Sequence, residues 1–226
     1  MRFIAFSKAG APALGLRLGD EVVDLTAQGL PDTLDAPLRA GPEAIAAARD
    51  AAARARERIA VSRIDWRVPV AAPAKAIAVG LNYVDHAAES RFDAPEYPVL
   101  FHRFASSWVA HGQPLVRPRV SEQFDYEGEL VVVIGRAGRY IDRWRALEHV
   151  AGYSVFNDGS VRDYQFKSAQ WMMGKNFDRS GGFGPEFVTA DELPAGAAGL
   201  RLRTRLNGQG RRRPAAAAGA PPRCAL

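Results

Sequence analysis

The sequence predicts a mixed α+β protein, mainly β, with a small N-terminal domain over 1–70, a larger domain over 71–209 and a structureless tail over 210–226. Three observations carry this prediction. Short stretches that alternate apolar and polar residues, broken by glycine, open the chain and return in its second half. Glu129–Ile134 reads Glu-Leu-Val-Val-Val-Ile and is stopped by Gly135, the strongest strand signal in the chain. Stretches of helical composition are few, and only Pro42–Ala60 is long.

Taken in order, Met1–Phe6 and Leu14–Leu25 alternate as short antiparallel strands do. Pro42–Ala60 is rich in Ala and Arg and holds no Gly or Pro after Pro42, which predicts a helix. Its Arg49, Arg54, Arg56 and Arg58 are interleaved with Asp50 and Glu57, the pattern of a solvated face rather than of nucleic-acid contact. Val68–Lys75, with Pro69 and Pro73, is a linker. The larger domain then opens on an apolar strand at Ala76–Val79, a helix over Asn82–Ser90 and a strand over Tyr97–Phe101. After Glu129–Ile134 come a helix over Trp144–Val150 and strands over Gly152–Phe156, Phe183–Thr189 and Leu200–Leu206. Asn207-Gly208 is a hairpin signal that promises a returning strand. The residues after Gln209 are mostly Arg, Pro, Ala and Gly with no hydrophobic period, so no returning strand is expected and the tail cannot bury enough surface to order itself.

Composition excludes several classes. The formal charge is +5, but 210–226 carries four Arg and no acid, so 1–209 is balanced at +1. The one cysteine, Cys224, also lies in that tail, which leaves the body without a disulfide framework, a cysteine-based zinc site or a thiol nucleophile. Met1–Phe6 is too short and too soon interrupted for a secretory signal, and no apolar run approaches the roughly 18 residues that span a bilayer. A cytoplasmic protein with neither membrane nor nucleic-acid partner is the expectation. Arg211–Arg213 would give weak, salt-sensitive nucleic-acid attachment at most.

The chemistry concentrates in Phe124–Ile134. On a strand, Asp125, Glu127 and Glu129 share one side. Such like charges need neutralising, either by a hard divalent cation or, in the blander reading, by nearby Arg on an exposed acidic edge. Asn157-Asp158-Gly159-Ser160 is by itself a turn, and it matters only if the fold brings Asp158 beside the Glu pair. His86 and Glu89 lie three apart on a helix, where a carboxylate can orient an imidazole as general base; alone, such a pair is ordinary surface decoration. Gly174-Lys175-Asn176 is no phosphate loop, because Ala169 and Asn176 stand where that pattern needs Gly and Ser or Thr.

In this order these pieces resemble the fumarylacetoacetate hydrolase family. The matching residues are Gly80-Leu81-Asn82-Tyr83 with His86 and Glu89, then Asp125-Tyr126-Glu127-Gly128-Glu129-Leu130. Gly152-Tyr153, Asn157 to Gln165, Gly174 to Asp178, Gly184-Pro185 and Asn207-Gly208 complete the series. The resemblance implies a β roll beside a small N-terminal domain, a homodimer, and a 2-oxo acid substrate. It implies Mg²⁺ or Mn²⁺ held by Glu127, Glu129 and Asp158, with Asp125 in a structural role. It gives His86, Glu89 and Lys175 catalytic places and Gln165, Arg162 and Tyr83 substrate contacts, with Arg162 equally suited to pairing with an acid. Arg103 stands where many relatives carry Lys, so no substrate contact is assigned to it.

The activity so implied is metal-dependent hydrolysis of a carbon–carbon bond in an acylpyruvate-type acid. Isomerisation, decarboxylation or hydration of 2-hydroxymuconate-type acids, ureidoglycolate cleavage, and a noncatalytic metal-binding remnant are the alternatives. No resemblance is visible after Gln209. The expectation is therefore a β roll incomplete at its C-terminus, through truncation or a shifted reading frame, and impaired by it.

Overall fold

The computed structural model describes residues 1–82 and 97–211. The alternating N-terminal segments form an antiparallel meander of β1 (Arg2–Lys8), β2 (Ala11–Leu18) and β3 (Glu21–Asp24). Helix α1 (Asp35–Ala40) and helix α2 (Pro42–Arg54) come next. Pro37 argues against a helix at α1, but it sits in the first turn, where its missing N–H has no partner to lose. The helix expected over Pro42–Ala60 stops at Arg54, because Ile59–Ala60 leaves as β4 to pair with Glu21 and Val22. A short β5 (Asp65–Arg67) then pairs with Ala5–Ser7 of β1.

After β5, β6 (Ile77–Gly80) and β7 (Val99–His102) pair as a separate two-stranded sheet. Tyr83, His86 and Glu89, and the helix expected over Asn82–Ser90 past its first residue, lie outside the described residues. The chain continues through β8 (Trp108–Val109), β9 (Phe124–Asp125) and β10 (Gly128–Ile134). The helix expected at Trp144–Val150 is a 3₁₀ stretch, Arg143–His149, that feeds β11 (Val150–Asp158). β12 (Ser160–Val161), α3 (Arg162–Gln165) and α4 (Met172–Lys175) carry the chain to β13 (Gly181–Phe183) and β14 (Phe187–Thr189). The strand expected across Phe183–Thr189 is thus divided at Gly184-Pro185, where proline offers no ladder donor.

The main sheet runs β4-β3-β2-β1-β14-β11-β13-β8, with β10 on the other edge of β11. Its β1–β14 junction joins residue 3 to residue 187, so the sheet is continuous from the first strands into the last part of the chain. Beneath it, Phe3, Leu14, Leu16, Val23, Leu25, Leu34, Leu38 and Phe187 pack with Ala48, Ala51 and Ala52 of α2. The small alanines let α2 lie close against the sheet.

At the C-terminal end the expected break is corrected. Thr204–Leu206 (β15) and Gln209–Arg211 (β16) pair across the Asn207-Gly208 turn, so the promised returning strand is formed. Asn207 and Gly208 both adopt positive φ, as this hairpin turn requires. Among the described residues no helix is long and apolar enough to cross a membrane.

Candidate active site

The site is built where β11 ends. Register sets Gly128 opposite Asn157 and Glu129 opposite Phe156. The Asn157 side-chain oxygen accepts the Glu127 N–H at 3.1 Å, and the Asp158 N–H donates to the Glu127 carbonyl at 2.8 Å. These bonds place the Glu127 and Asp158 side chains side by side, both buried. The turn at Asp158 leads through β12 into α3, which brings Arg162 and Gln165 to the same place.

Lys175 arrives on α4, and Gly174 is what lets it. A Cβ at Gly174 would fall 2.4 Å from the Gln165 nitrogen and 2.5 Å from the Val161 carbonyl oxygen. Glycine therefore allows the α4 backbone to lie directly against α3. The Lys175 side chain is only 2% exposed, and its ammonium donates to Glu127 Oε2 at 2.8 Å and to Asp158 Oδ2 at 2.9 Å. It also lies 5.1 Å from the Phe101 ring centroid.

Two arginines complete the cluster. Arg162 bridges Asp125 and Glu127, with Nη2 2.6 Å from Asp125 Oδ2 and Nη1 2.6 Å from Glu127 Oε1. Nη1 also donates to Gln165 Oε1 at 3.0 Å. Arg103 lies behind Asp158, with Nε 3.3 Å from Oδ1. Sequence reasoning gave Arg103 no role, yet a signal was available. Phe101 on β7 and Arg103 just after it are buried while His102 between them is exposed, so the strand's alternation carries one residue past its end.

The two carboxyls are driven apart in acidity. Burial pushes Glu127 up, but the Lys175 ammonium and then the Arg162 guanidinium outweigh it and hold the carboxyl below its ordinary value. Burial pushes Asp158 above its ordinary value; Lys175 and Arg103 pull back incompletely, and the neighbouring Glu127 charge adds to the rise. Burial lowers Arg103, against the pull of Asp158 and Glu127.

This pairing decides the metal question. Both Glu127 oxygens and Asp158 Oδ2 are paired with Arg162 and Lys175, while Asp158 Oδ1 faces the Arg103 guanidinium at 3.3 Å without a hydrogen bond. Among the described residues no group of three or more His, Cys, Asp or Glu is placed to hold a metal ion. Glu129, half-buried on β10, does not complete such a group. The residues do not fit the expected Mg²⁺ or Mn²⁺, and that expectation is corrected. Neutralisation by arginine, the blander expectation, is what forms, but in a buried cluster rather than on an exposed edge.

The family model for the C-terminal part of fumarylacetoacetate (FAA) hydrolase matches residues 75–218. The chain belongs to the fumarylacetoacetate hydrolase family. It is 37% identical over 216 residues to the mitochondrial oxaloacetate tautomerase fahd2 of Xenopus laevis, covering 92% of this chain and 67% of the relative. It is 38% identical over 204 residues to the human mitochondrial oxaloacetate tautomerase FAHD2A, covering 88% and 65% respectively. The chain thus spans about two thirds of the length of these curated relatives. Among solved structures, the fumarylacetoacetate hydrolase of psychrophilic Exiguobacterium antarcticum superposes with a TM-score of 0.81 at 33% identity. That match covers 94% of this chain and 74% of that one.

Two expectations fall here. The likeness does not end at Gln209: the matched stretch continues to residue 218, so a truncated or frame-shifted reading after Gln209 is withdrawn. The expected carbon–carbon hydrolase is also overturned, because the curated relatives it aligns with over most of its length are tautomerases.

Proposed function

We propose that this chain interconverts the keto and enol forms of a small 2-oxo dicarboxylic acid of the oxaloacetate class. The observation that carries the reading is the buried Lys175 ammonium, held between Glu127 and Asp158 at 2.8 and 2.9 Å. Enolisation needs a base for the C–H proton beside the 2-oxo group and a donor for the oxygen that gains charge. Asp158, whose carboxyl burial pushes up, takes the carbon proton. Lys175 donates to the carbonyl oxygen as negative charge gathers there. The substrate loses one proton at carbon and gains one at oxygen, so no carbon–carbon bond breaks and no water is consumed. Arg162, with a side chain 24% exposed, faces a substrate carboxylate, and Gln165 fixes its guanidinium. We keep His86 as a proposed proton carrier, Glu89 as its partner and Tyr83 as a proposed substrate contact.

The names of the curated relatives support the reaction class, and the ammonium–carboxylate pair supports its chemistry. The test monitors the decay of enol oxaloacetate by its ultraviolet absorbance, with the protein and with Lys175→Met. The wild type should accelerate the decay, and Lys175→Met should lose on the order of 10²–10³ of that rate, the cost of one donor to a developing oxyanion. A wild type that leaves the decay at its buffer rate, or that splits an acylpyruvate faster than it tautomerises oxaloacetate, rejects the reading.

A further inference from the structure

We infer that Arg103 is a positioning residue for Lys175, acting through Asp158, and that Gly181 is its necessary companion. The inference rests on the reading of Lys175 as the group that stabilises the enolate oxygen.

Asp158 is shared between two cations. Its Oδ2 accepts from Lys175 Nζ at 2.9 Å, while Oδ1 faces Arg103 Nε at 3.3 Å. Among the described residues Asp158 Oδ1 and Arg103 Nε, both fully buried, make no hydrogen bond, so charge attraction is what links them. The guanidinium's other contacts are also long: Nη1 to the Gly159 carbonyl and Nη2 to Ser180 Oγ, both 3.5 Å. Charge-assisted bonds usually run nearer ~2.8 Å. Arg103 is therefore not saturated by hydrogen bonds, although its side chain is only 4% exposed. What it offers is a fixed positive charge behind Asp158, backed by the face of Phe156 at 5.2 Å. Its own backbone is anchored, since the Arg103 N–H donates to the Ala76 carbonyl at 3.0 Å. The carboxylate is pulled from behind by Arg103 and from in front by Lys175. Removing the rear charge lets it swing, and the ammonium goes with it.

The guanidinium needs a slot, and Gly181 opens it. A Cβ at Gly181 would lie 2.3 Å from Arg103 Nη2 and 2.5 Å from the Phe156 ring. Even a methyl group would drive the guanidinium from its place. A lysine at 103 ends in a compact ammonium without the lateral fork, so it would remove the closer of the two clashes and leave only the one with the Phe156 ring. Arginine at 103 and glycine at 181 are thus one choice made at two positions.

The experiment compares wild type, Arg103→Met, Arg103→Lys, Gly181→Ala and the Arg103→Lys/Gly181→Ala double variant. Each is read by kcat and KM for oxaloacetate tautomerisation and by melting temperature. Arg103→Met and Gly181→Ala should each lower kcat by about 10–100-fold, the scale of a misplaced catalytic group, and should move KM less than about threefold. Arg103→Lys should keep more kcat than Arg103→Met. Gly181→Ala should cost less kcat and less melting temperature in the Arg103→Lys background than in wild type. Equal cost in both backgrounds overturns the pairing. Wild-type kcat in Arg103→Met, or coupling seen in melting temperature alone while kcat holds, overturns the positioning role. If Gly181→Ala does not fold while the double variant does, the pairing is supported. A wild type inactive on oxaloacetate defeats the functional reading by itself, and the melting-temperature coupling then still decides the pairing.

Discussion

The interior holds two regions built on opposite principles. Under β1–β3 and β14 the contacts are hydrocarbon: Phe3, Leu14, Val23, Leu25 and Phe187 against the alanines of α2. Around the end of β11 they are ionic: Arg103, Arg162 and Lys175 against Asp125, Glu127 and Asp158. The first region stabilises by removing apolar surface from water, which costs nothing in desolvated charge. The second takes charges out of water and recovers that cost only through close pairing, so it is weak evidence for stability. The difference teaches where stability and chemistry are divided in this chain.

Substitutions can break that comparison. The largest effect is expected in the apolar region. Phe187→Ala removes a fully buried ring that packs on Phe3 at 6.2 Å, and it should cost about 3–5 kcal/mol in denaturant unfolding. The protein that stays folded should keep its wild-type kcat, because no charged partner moves. A comparable loss of kcat would mean that the two regions are one.

The ionic region ranks second. Glu127→Gln strands part of the cation set and should cost about 3 kcal/mol at neutral pH. The pH dependence identifies the cause. Glu127 is depressed below its ordinary value of 4.5, so its pairing stabilises the fold above that value. The contribution is lost as pH falls through the lower, folded value. The stability gap between wild type and Glu127→Gln should therefore be full at neutral pH and close below about pH 4.5. Asp158, raised by burial, works in the reverse sense, so Asp158→Asn should not remove the acid-side loss. A gap that stays constant to acid pH would assign the loss to shape rather than charge.

The smallest effect belongs to a buried carboxylate outside the cluster. Asp35 on α1 accepts the N–H groups of Ala71 and Ala72 at 3.0 and 2.8 Å and so fastens the 71–72 segment to α1. Asp35→Ala leaves those donors unpaired and should cost about 1–3 kcal/mol by thermal melting, with kcat unchanged.

The two regions also differ in how far the sequence discloses them. The apolar one is written locally. Alternation in Met1–Phe6 and Leu14–Leu25 places the strands because one side of each faces a core. The ionic one is written across the chain. Spacing brings attention to Glu127 and suggests a shared side with Asp125, and family likeness adds Asp158 and Lys175. That likeness also suggests a metal, because neither spacing nor motif says which cation lies opposite a carboxylate. The three cations that do, Arg103, Arg162 and Lys175, come from just beyond β7, from α3 and from α4, and only the fold brings them together. The returning strand at Gln209–Arg211 escapes sequence reading for the opposite reason. Its backbone pairs across the Asn207-Gly208 turn, and backbone pairing needs no hydrophobic pattern.

The β1–β14 seam also bears on synthesis. The second and third residues of the chain find their strand partners at Val188 and Phe187, and the Thr189 N–H reaches back to the Met1 carbonyl at 2.9 Å. On the ribosome the opening meander can form early and β5 can cover Ala5–Ser7 on the free edge of β1, but Arg2 and Phe3 on that edge stay unpaired until residue 187 has emerged. At about 5–20 residues per second that is a wait on the order of ten seconds or more. Throughout it, Phe3 lacks the ring that later closes over it. Slower translation between β5 and β14 would lengthen the exposure of that end of β1.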